Sequence, residues 1–227
     1  MYENAKGLVP PSSEKPVLAV RPLAPVPSMM RLLDIVIAMV AIFVLLPLLL
    51  LVAVTIWATD PGPVFFAHRR IGLGGIAFPC LKFRTMVTDA EERLAYILSS
   101  DADARLEWAR ERKLRVDPRV TAIGRFLRRS SIDELPQLLN VLRGDMSIVG
   151  PRPIVDSERE LYGRGFISYC RVKPGITGLW QVSGRNDVPY RRRVALDVLY
   201  ARRKSVRFDL WILVRTVPAV LSARGCY

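Results

Sequence analysis

Two adjacent carboxylates, Asp133 and Glu134, stand in the stretch SSIDELPQL (130–138), directly after the basic stretch RFLRR. One carboxylate of such a pair can act as a nucleophile while the other transfers a proton or helps to hold a divalent cation. The pair is therefore a candidate for chemistry on a phosphorylated substrate.

A structural interpretation of the same residues competes with this one. Ser131 followed three residues later by Glu134 matches a capping box, and Asp133 would favour the positive end of a helix predicted from Asp133 to Leu142. That helix start, together with nearby cations, would lower the pKa of Asp133 and keep it ionised.

Basic residues next to the pair favour the chemical interpretation. Arg128 and Arg129 precede it, and Arg152 lies between two prolines. Guanidinium groups make planar, multidentate contacts with phosphate oxygens. Since a cap needs only one acidic side chain, two carboxylates among phosphate-binding groups indicate covalent phosphoryl transfer with a divalent metal.

The charge of the whole chain points to anionic partners. Lys and Arg number 34 against 21 Asp and Glu, a net charge of +13, with clusters in 105–129 and 191–207. Anionic lipid and phosphorylated substrates are the expected partners. No helix-turn-helix, zinc or RNP pattern is present, so nucleic acid is not expected. A basic surface that only holds the protein to acidic lipid remains an alternative.

Residues 35–58 form an apolar run of 24 residues without a charge. As a helix they would extend roughly 36 Å, slightly more than a bilayer core. Basic residues flank the run on both sides, which favours placing both flanks on the cytoplasmic side. Pro47, near its centre, offers a bend for a re-entrant hairpin, and the alternative is a kinked spanning helix.

The remaining chain divides by composition. Residues 1–29 are rich in proline and predicted to be a disordered tail, while 62–86 indicates short strands broken by glycines. Helices are predicted over 88–115 and 191–204. The stretch 205–225 indicates a helix broken by Pro218 that either lies on a membrane surface or packs in the core.

Cysteine and histidine are scarce. Cys80, Cys170 and Cys226 are widely spaced, which indicates neither a disulfide framework nor a zinc site and fits a reducing cytoplasm. His68, the only histidine, is predicted to be structural or interfacial. Acid–base chemistry then falls to carboxylates.

The sequence resembles the bacterial sugar transferases, monotopic phosphoglycosyl transferases that act on polyprenyl phosphate. It is especially similar to rhizobial-type exopolysaccharide enzymes that transfer galactose-1-phosphate. The resemblance covers roughly residues 30–226. It is carried by RLLDIV (31–36), LKFRTM (81–86), DPRVTAIGRFLRRSSIDELPQLLNVLRGDMSIVGPRP (117–153), VKPGITGLWQVSGRND (172–187) and LDVLY (196–200).

The resemblance implies a mostly helical α/β fold. It combines a membrane-embedded re-entrant helix hairpin (30–60), surface amphipathic helices and a small catalytic domain (61–227) on the cytoplasmic face of the bacterial inner membrane. Pro47 would be the membrane turn. Leu46 precedes it where well-known members have a serine, so the bend needs other support.

The resemblance also implies a reaction. Asp133 attacks the β-phosphate of a UDP-sugar, UMP leaves, and undecaprenyl phosphate then takes the sugar phosphate from the aspartate. Mg²⁺ would neutralise charge with Asp133 as a ligand, and Glu134 would assist proton transfer or metal placement. The residues matched to phosphate contacts are Lys82, Arg128 and Arg152, and possible supporting acids are Asp89 and Asp145.

Several alternatives stay open. Glucose-1-phosphate could replace galactose-1-phosphate, and a non-catalytic membrane scaffold could use the same basic surface. The glycine-rich stretch 172–187 is expected to be a loop, with Trp180 or Tyr190 stacking on uracil or sugar, although Trp180 could equally be buried in the core. A homodimer also stays open.

Overall fold

The computed structural model describes residues 28–111, 114–184 and 188–221. The described part is mostly helical with two small two-stranded sheets, as expected. The predicted disordered tail lies outside the described residues, except for its last two positions, where the first helix begins.

The first helix, α1 (Ser28–Thr59), contains the apolar run and continues through Pro47. By length and composition its Met29–Thr59 part could cross a membrane, with a mean hydropathy of 3.3. Most of its large apolar side chains are exposed, including Phe43 and Val44. An exposed apolar surface of this extent is typical of membrane contact. The predicted hairpin is not divided into two helices, and its topology stays a prediction.

The start of α1 is fastened to the domain that follows it. The Arg31 guanidinium donates to the carbonyl oxygens of Val141 (2.6 Å) and Leu142 (2.8 Å). The buried Asp34 carboxylate accepts a hydrogen bond of 2.9 Å from the Ser147 hydroxyl. These are charge-assisted bonds in a shielded place, so they fix the helix firmly.

The other end of α1 is fastened as well. Arg84 pairs with Asp60, with 3.2 Å between Nη1 and Oδ2, and donates to the Asp60 carbonyl oxygen. Val52 and Ile56 are buried in one cluster with Phe83. Both ends of the apolar helix therefore contact the same folded domain.

A β-hairpin follows the helix, and its two strands confirm the short strands predicted for 62–86. Strands β1 (Phe65–Ile71) and β2 (Ala77–Phe83) are antiparallel and joined by a 3-10 turn, Leu73–Gly75. Gly74 has φ of 69°, a value that favours glycine.

Three helices lead to the candidate dyad. Residues 88–115 contain two of them, α2 (Ala90–Ser100) and α3 (Ala102–Glu111), because the Asp101 carboxylate accepts the amides of the first turn of α3 and divides the segment. The third, α4 (Ala122–Ser130), is capped by Thr121.

After the dyad, α5 (Gln137–Arg143) leads into strand β3 (Ser147–Val149). β3 pairs in parallel with β4 (Gly175–Thr177). The crossover between them contains a 3-10 turn, Asp156–Glu158, and two short helices, α6 (Arg159–Tyr162) and α7 (Gly165–Tyr169).

The prediction of a loop for 172–187 is wrong for its described part, because this stretch supplies strand β4 and helix α8 (Leu179–Val182). The close approach of two chain segments explains its glycines. A Cβ on Gly175 would lie only 2.0 Å from the Gly150 nitrogen.

Two longer helices complete the described chain. α9 (Tyr190–Arg203) confirms the predicted helix. α10 (Val206–Leu221) continues through Pro218, so the predicted break there is wrong. One face of α10 places Ile212 in the core, and the opposite face exposes Val214 and Val217. Core packing and an exposed apolar surface thus both occur, on different faces.

Candidate active site

Asp133 and Glu134 lie on a single 3-10 turn, Ile132–Glu134, between α4 and α5. The predicted helix start at Asp133 is wrong, because α5 begins at Gln137. The predicted capping box does not form. Ser131 has φ of 58° and ends α4, and its side chain makes no capping hydrogen bond. The carboxylates are therefore not used as helix caps.

Lys82 of β2 joins the two carboxylates, although it lies 52 residues away in the chain. Its ammonium is 2.7 Å from Glu134 Oε1 and 3.6 Å from Asp133 Oδ2. The hairpin positions Lys82, and the turn after α4 positions the acids. Lys82 therefore lies beside the dyad, and its predicted contact with phosphate stays a prediction.

The two carboxyl groups have opposite pKa shifts. Burial raises the pKa of Asp133, and the charge of Lys82 only partly offsets it. Burial also acts to raise the pKa of Glu134, but Lys82 and Arg152 outweigh it, so the net shift is downward. The expected lowering for Asp133 is wrong, because the residue is buried and does not stand at an α-helix N-terminus. Asp133 is a desolvated carboxylate whose ionised form depends on the Lys82 cation.

Arg128 approaches the same site from α4. Its Nε donates a 2.9 Å hydrogen bond to the Thr85 hydroxyl, directly after β2. Burial lowers the pKa of Arg128 and the charge of Asp133 opposes this, while the charge of Arg128 in turn opposes the upward shift that burial gives the pKa of Asp133. Arg128 therefore contributes positive potential at the carboxylate, as expected for a phosphate-binding residue.

A cleft opens beside the dyad. Its lining brings together three cations and one carboxylate, a charge balance that favours a ligand with more than one negative charge. The lining residues are Arg70, Cys80, Lys82, Glu134, Gln137, Arg152, Pro153, Gly175, Ile176 and Gln181. The predicted Lys82 and Arg152 share this cleft.

Sequence reasoning missed Arg70. It lies on β1 and donates to the Pro153 carbonyl oxygen at 3.3 Å, and burial together with the Arg152 charge lowers its pKa. The sequence signal that could have identified Arg70 is the alternation of side chains between the two faces of the strand FFAHRRI. Since Phe66, His68 and Arg70 alternate along a strand, they share one face, and this face also carries Lys82 through its pairing with Phe66.

Trp180 packs against Arg152, one of the residues that line the cleft. Its indole is only 4% exposed, and the guanidinium carbons of Arg152 and Arg193 lie 5.8 and 5.0 Å from its ring centroid. Of the two roles left open for Trp180, burial is correct. The ring orients Arg152 by cation–π contact. Tyr190 also packs against Arg193, at 5.1 Å.

The two proposed supporting acids have other partners. Asp89 is exposed and pairs with Arg93 at 2.9 Å. Asp145 accepts a 3.1 Å hydrogen bond from Asn140, whose side chain also binds the backbone of β2. Neither acid lines the cleft.

The donor set of the site fits Mg²⁺. The described residues contain no group of three or more His, Cys, Asp and Glu side chains that could hold a metal ion. Asp133 and Glu134 nevertheless offer adjacent carboxylates, and Mg²⁺ is commonly held by one or two carboxylates together with substrate phosphates and water. A metal that arrives with a phosphorylated substrate is compatible with these residues.

Comparison with known proteins decides the family. The family model described as "Bacterial sugar transferase" matches residues 27–223. The chain belongs to the bacterial sugar transferase family. The exopolysaccharide production protein ExoY of Rhizobium meliloti (strain 1021) is 49% identical over 209 residues, which cover 92% of each chain.

Two other relatives in the family are named for a reaction. The undecaprenyl-phosphate galactose phosphotransferase of Salmonella typhimurium is 47% identical over 87% of this chain and 41% of its own length. The UDP-glucose:undecaprenyl-phosphate glucose-1-phosphate transferase of Caulobacter vibrioides is 40% identical over 93% of this chain and 78% of its own. Relatives of this chain therefore include undecaprenyl-phosphate sugar phosphotransferases for both galactose and glucose.

Proposed function

We propose that this protein transfers a hexose 1-phosphate from a UDP-sugar to undecaprenyl phosphate, and thereby starts an exopolysaccharide. The observation that carries the proposal is the pair of the buried Asp133 and the half-buried Glu134, joined by Lys82 at the edge of a cleft rich in cations. A UDP-sugar brings a diphosphate, the kind of ligand that such a charge balance favours.

In the first step Asp133 is the nucleophile. Its carboxylate oxygen bonds to the β-phosphorus, the bond from that phosphorus to the bridging oxygen breaks, and UMP leaves with the electron pair. An acyl phosphate that carries the sugar remains on Asp133. Lys82, Arg152 and Arg70 stabilise the negative charge on the phosphates and on the departing UMP.

In the second step a phosphate oxygen of undecaprenyl phosphate attacks the same phosphorus. The bond to the Asp133 oxygen breaks, the aspartate carboxylate is restored, and the lipid diphosphate sugar departs. Glu134 has a lowered pKa and is ionised at neutral pH, so it can accept the proton of a singly protonated acceptor phosphate.

Mg²⁺ fits this proposal as the cation that neutralises phosphate charge when bound. Asp133 and Glu134 are the residues that would hold it. Lys82, within 4 Å of both carboxylates, keeps them from repelling each other in the absence of the metal.

Galactose 1-phosphate is the proposed group. The relative named for galactose transfer is 47% identical to this chain, and the one named for glucose transfer 40%. The two sugars differ in the configuration of one hydroxyl group, so a direct comparison of substrates is needed.

The proposed topology is a re-entrant α1 whose two ends lie on the cytoplasmic face of the bacterial inner membrane. Its support is the attachment of both ends, through Arg31 and Asp60, to one domain. Cysteines placed at Met29 and Thr59 in intact cells should both resist a membrane-impermeant maleimide added outside. Labelling at one position alone would indicate a spanning helix.

The reaction is tested by UMP release from detergent-purified protein with Mg²⁺ and undecaprenyl phosphate, with UDP-galactose and UDP-glucose offered separately. Release with UDP-galactose, lost in Asp133→Asn and kept in the exposed control Asp89→Asn, is expected. If UDP-glucose is the preferred substrate, the transferred group is glucose 1-phosphate instead of galactose 1-phosphate. If a panel of UDP-sugars gives no release while the protein still binds anionic vesicles, the scaffold alternative is favoured.

A further inference from the structure

One face of the β-hairpin runs from an exposed aromatic ring to the cleft. In the register of the hairpin Phe66 lies opposite Lys82, and His68 lies opposite Cys80. Side chains directly opposite each other in an antiparallel pair share a face. Phe66, His68 and Lys82, which we call the acceptor strip, therefore lie side by side, and Lys82 is bound to Glu134.

The opposite face of the hairpin fixes this strip next to α1. Phe65 stacks on Phe83 with 5.4 Å between the ring centroids. Phe83 is buried against Val52 and Ile56 in the second half of the apolar helix. The beginning of β1 is thereby held beside α1, so the acceptor strip starts next to the long apolar helix.

Polarity changes along the acceptor strip. Phe66 is 54% exposed and stacks on His68, with the ring centroids 6.0 Å apart and the planes at 22°. The Lys82 ammonium of the dyad lies directly opposite this apolar ring, and the His68 imidazole follows one step further along the face, towards Arg70 and the cleft. Burial, with the charges of Arg70 and Lys82, lowers the pKa of His68, so its ring is neutral at neutral pH and offers one N–H donor.

We propose that the acceptor strip binds the lipid phosphate acceptor. Phe66 packs against the prenyl units next to the phosphate, and its neighbours on the face, Lys82 and His68, donate to the phosphate near Asp133. The proposal rests on the function proposed above. The chemical argument is complementarity: an apolar chain that ends in an anion matches an exposed apolar ring that lies beside cations.

A simpler role for Phe66 is that of an interfacial aromatic residue that only holds the domain on the bilayer. The two roles predict different results. If Phe66 is only an anchor, its removal weakens binding to vesicles but has no effect in detergent micelles. A lipid-binding residue changes the apparent affinity for the acceptor in detergent and leaves the donor step unchanged.

The test compares Phe66→Ala and Phe66→Leu with Tyr96→Ala, a control that removes a 73% exposed ring from α2. In detergent, Phe66→Ala should raise the KM for undecaprenyl phosphate about tenfold, as expected for a truncated aromatic contact. Phe66→Leu keeps a large apolar side chain, so its KM for undecaprenyl phosphate should stay close to the wild-type value. The UMP burst without acceptor and the KM for the UDP-sugar should stay within about twofold of wild type, and Tyr96→Ala should change nothing.

Two further arms complete the test. With butyl phosphate as acceptor, which lacks prenyl units, Phe66→Ala should cost less than twofold, whereas His68→Ala should reduce the rate with both acceptors. An unchanged KM for undecaprenyl phosphate in Phe66→Ala, with weaker flotation on vesicles, would establish the anchor and overturn the inference. Absence of UMP release from the wild-type protein would instead contradict the proposed function itself.

Discussion

The Lys82 ammonium lies closer to Glu134 than to Asp133, at 2.7 Å from Oε1 of the former and 3.6 Å from Oδ2 of the latter. Glu134 thus forms the tight ion pair, and Asp133 receives the weaker support of the same charge. Burial raises the pKa of Asp133 and the charge of Lys82 offsets this only in part, whereas at Glu134 the charges of Lys82 and Arg152 outweigh burial and lower the pKa. Because the Asp133 carboxylate is the less stabilised of the two, it is the better nucleophile.

Lys82→Met should shift the acidic limb of the pH–rate profile to higher pH. Lys82 lowers the pKa of Asp133, so its removal raises that pKa, and ionised Asp133 is then lost at a higher pH. The rate at neutral pH should also fall about a hundredfold, through loss of charge stabilisation. UMP release between pH 5.5 and 8.5 measures both effects. Arg129→Met, an exposed cation outside the cleft, is the control, and an unshifted acidic limb in Lys82→Met would contradict this assignment.

Arg70→Met should raise the KM for the UDP-sugar about tenfold or more, because it removes a guanidinium from the diphosphate cleft. Arg69→Met provides a matched control, since the neighbouring residue of the strand points to the other face and is exposed. Steady-state kinetics at varied UDP-sugar concentration give the KM of each variant, and only Arg70→Met should raise it. Equal effects of both variants would indicate a general loss of surface charge.

Asp34→Ala should destabilise the protein by roughly 2 kcal/mol, because the Ser147 hydroxyl and the Ile148 amide lose their buried acceptor. Thermal unfolding in detergent should show a clear drop in Tm. Ser147→Ala removes only one donor and should give a smaller drop. If Asp34→Ala unfolds at the wild-type temperature, the start of α1 is not fastened by this carboxylate.

Asp197 should make stability depend on pH. Burial raises its pKa from 3.8 to about 7, although the Tyr162 hydroxyl donates to it at 2.6 Å. Between these two values the folded state binds more protons than the unfolded state, so stability falls as pH rises from about 4 to about 7. Asp197→Asn should remove this slope. Tm values measured at pH 5 and pH 7.5 test it, and an equal slope in both proteins would contradict the pKa assignment.

The elements with strong local patterns were predictable from the sequence. The charge-free run gave α1, and the glycines in 62–86 indicated short strands. The basic helix α9 was expected within one residue at each end. The dyad and Lys82 were found because their motifs are distinctive. Their contact across 52 residues depends on tertiary packing and is visible only in the structure.

The errors have physical causes. Ser131 matches a capping pattern, but its left-handed backbone closes α4 instead of opening α5. Pro218 continues a helix because a proline removes a single donor and packing holds the remaining turns. Gly175 belongs to a strand because Gly150 approaches it closely, a long-range contact that the glycine-rich composition does not reveal.

The two attachments of α1 have a consequence for how the protein folds. Ala38 belongs to the largest hydrophobic cluster of the described residues, and Val52 and Ile56 belong to another, so the apolar helix completes two cores of the domain beneath it. Docking of α1 and folding of the domain are then parts of one cooperative transition. A version without α1 would lose core packing, and replacing the helix with an unrelated apolar segment would not restore the position of Lys82.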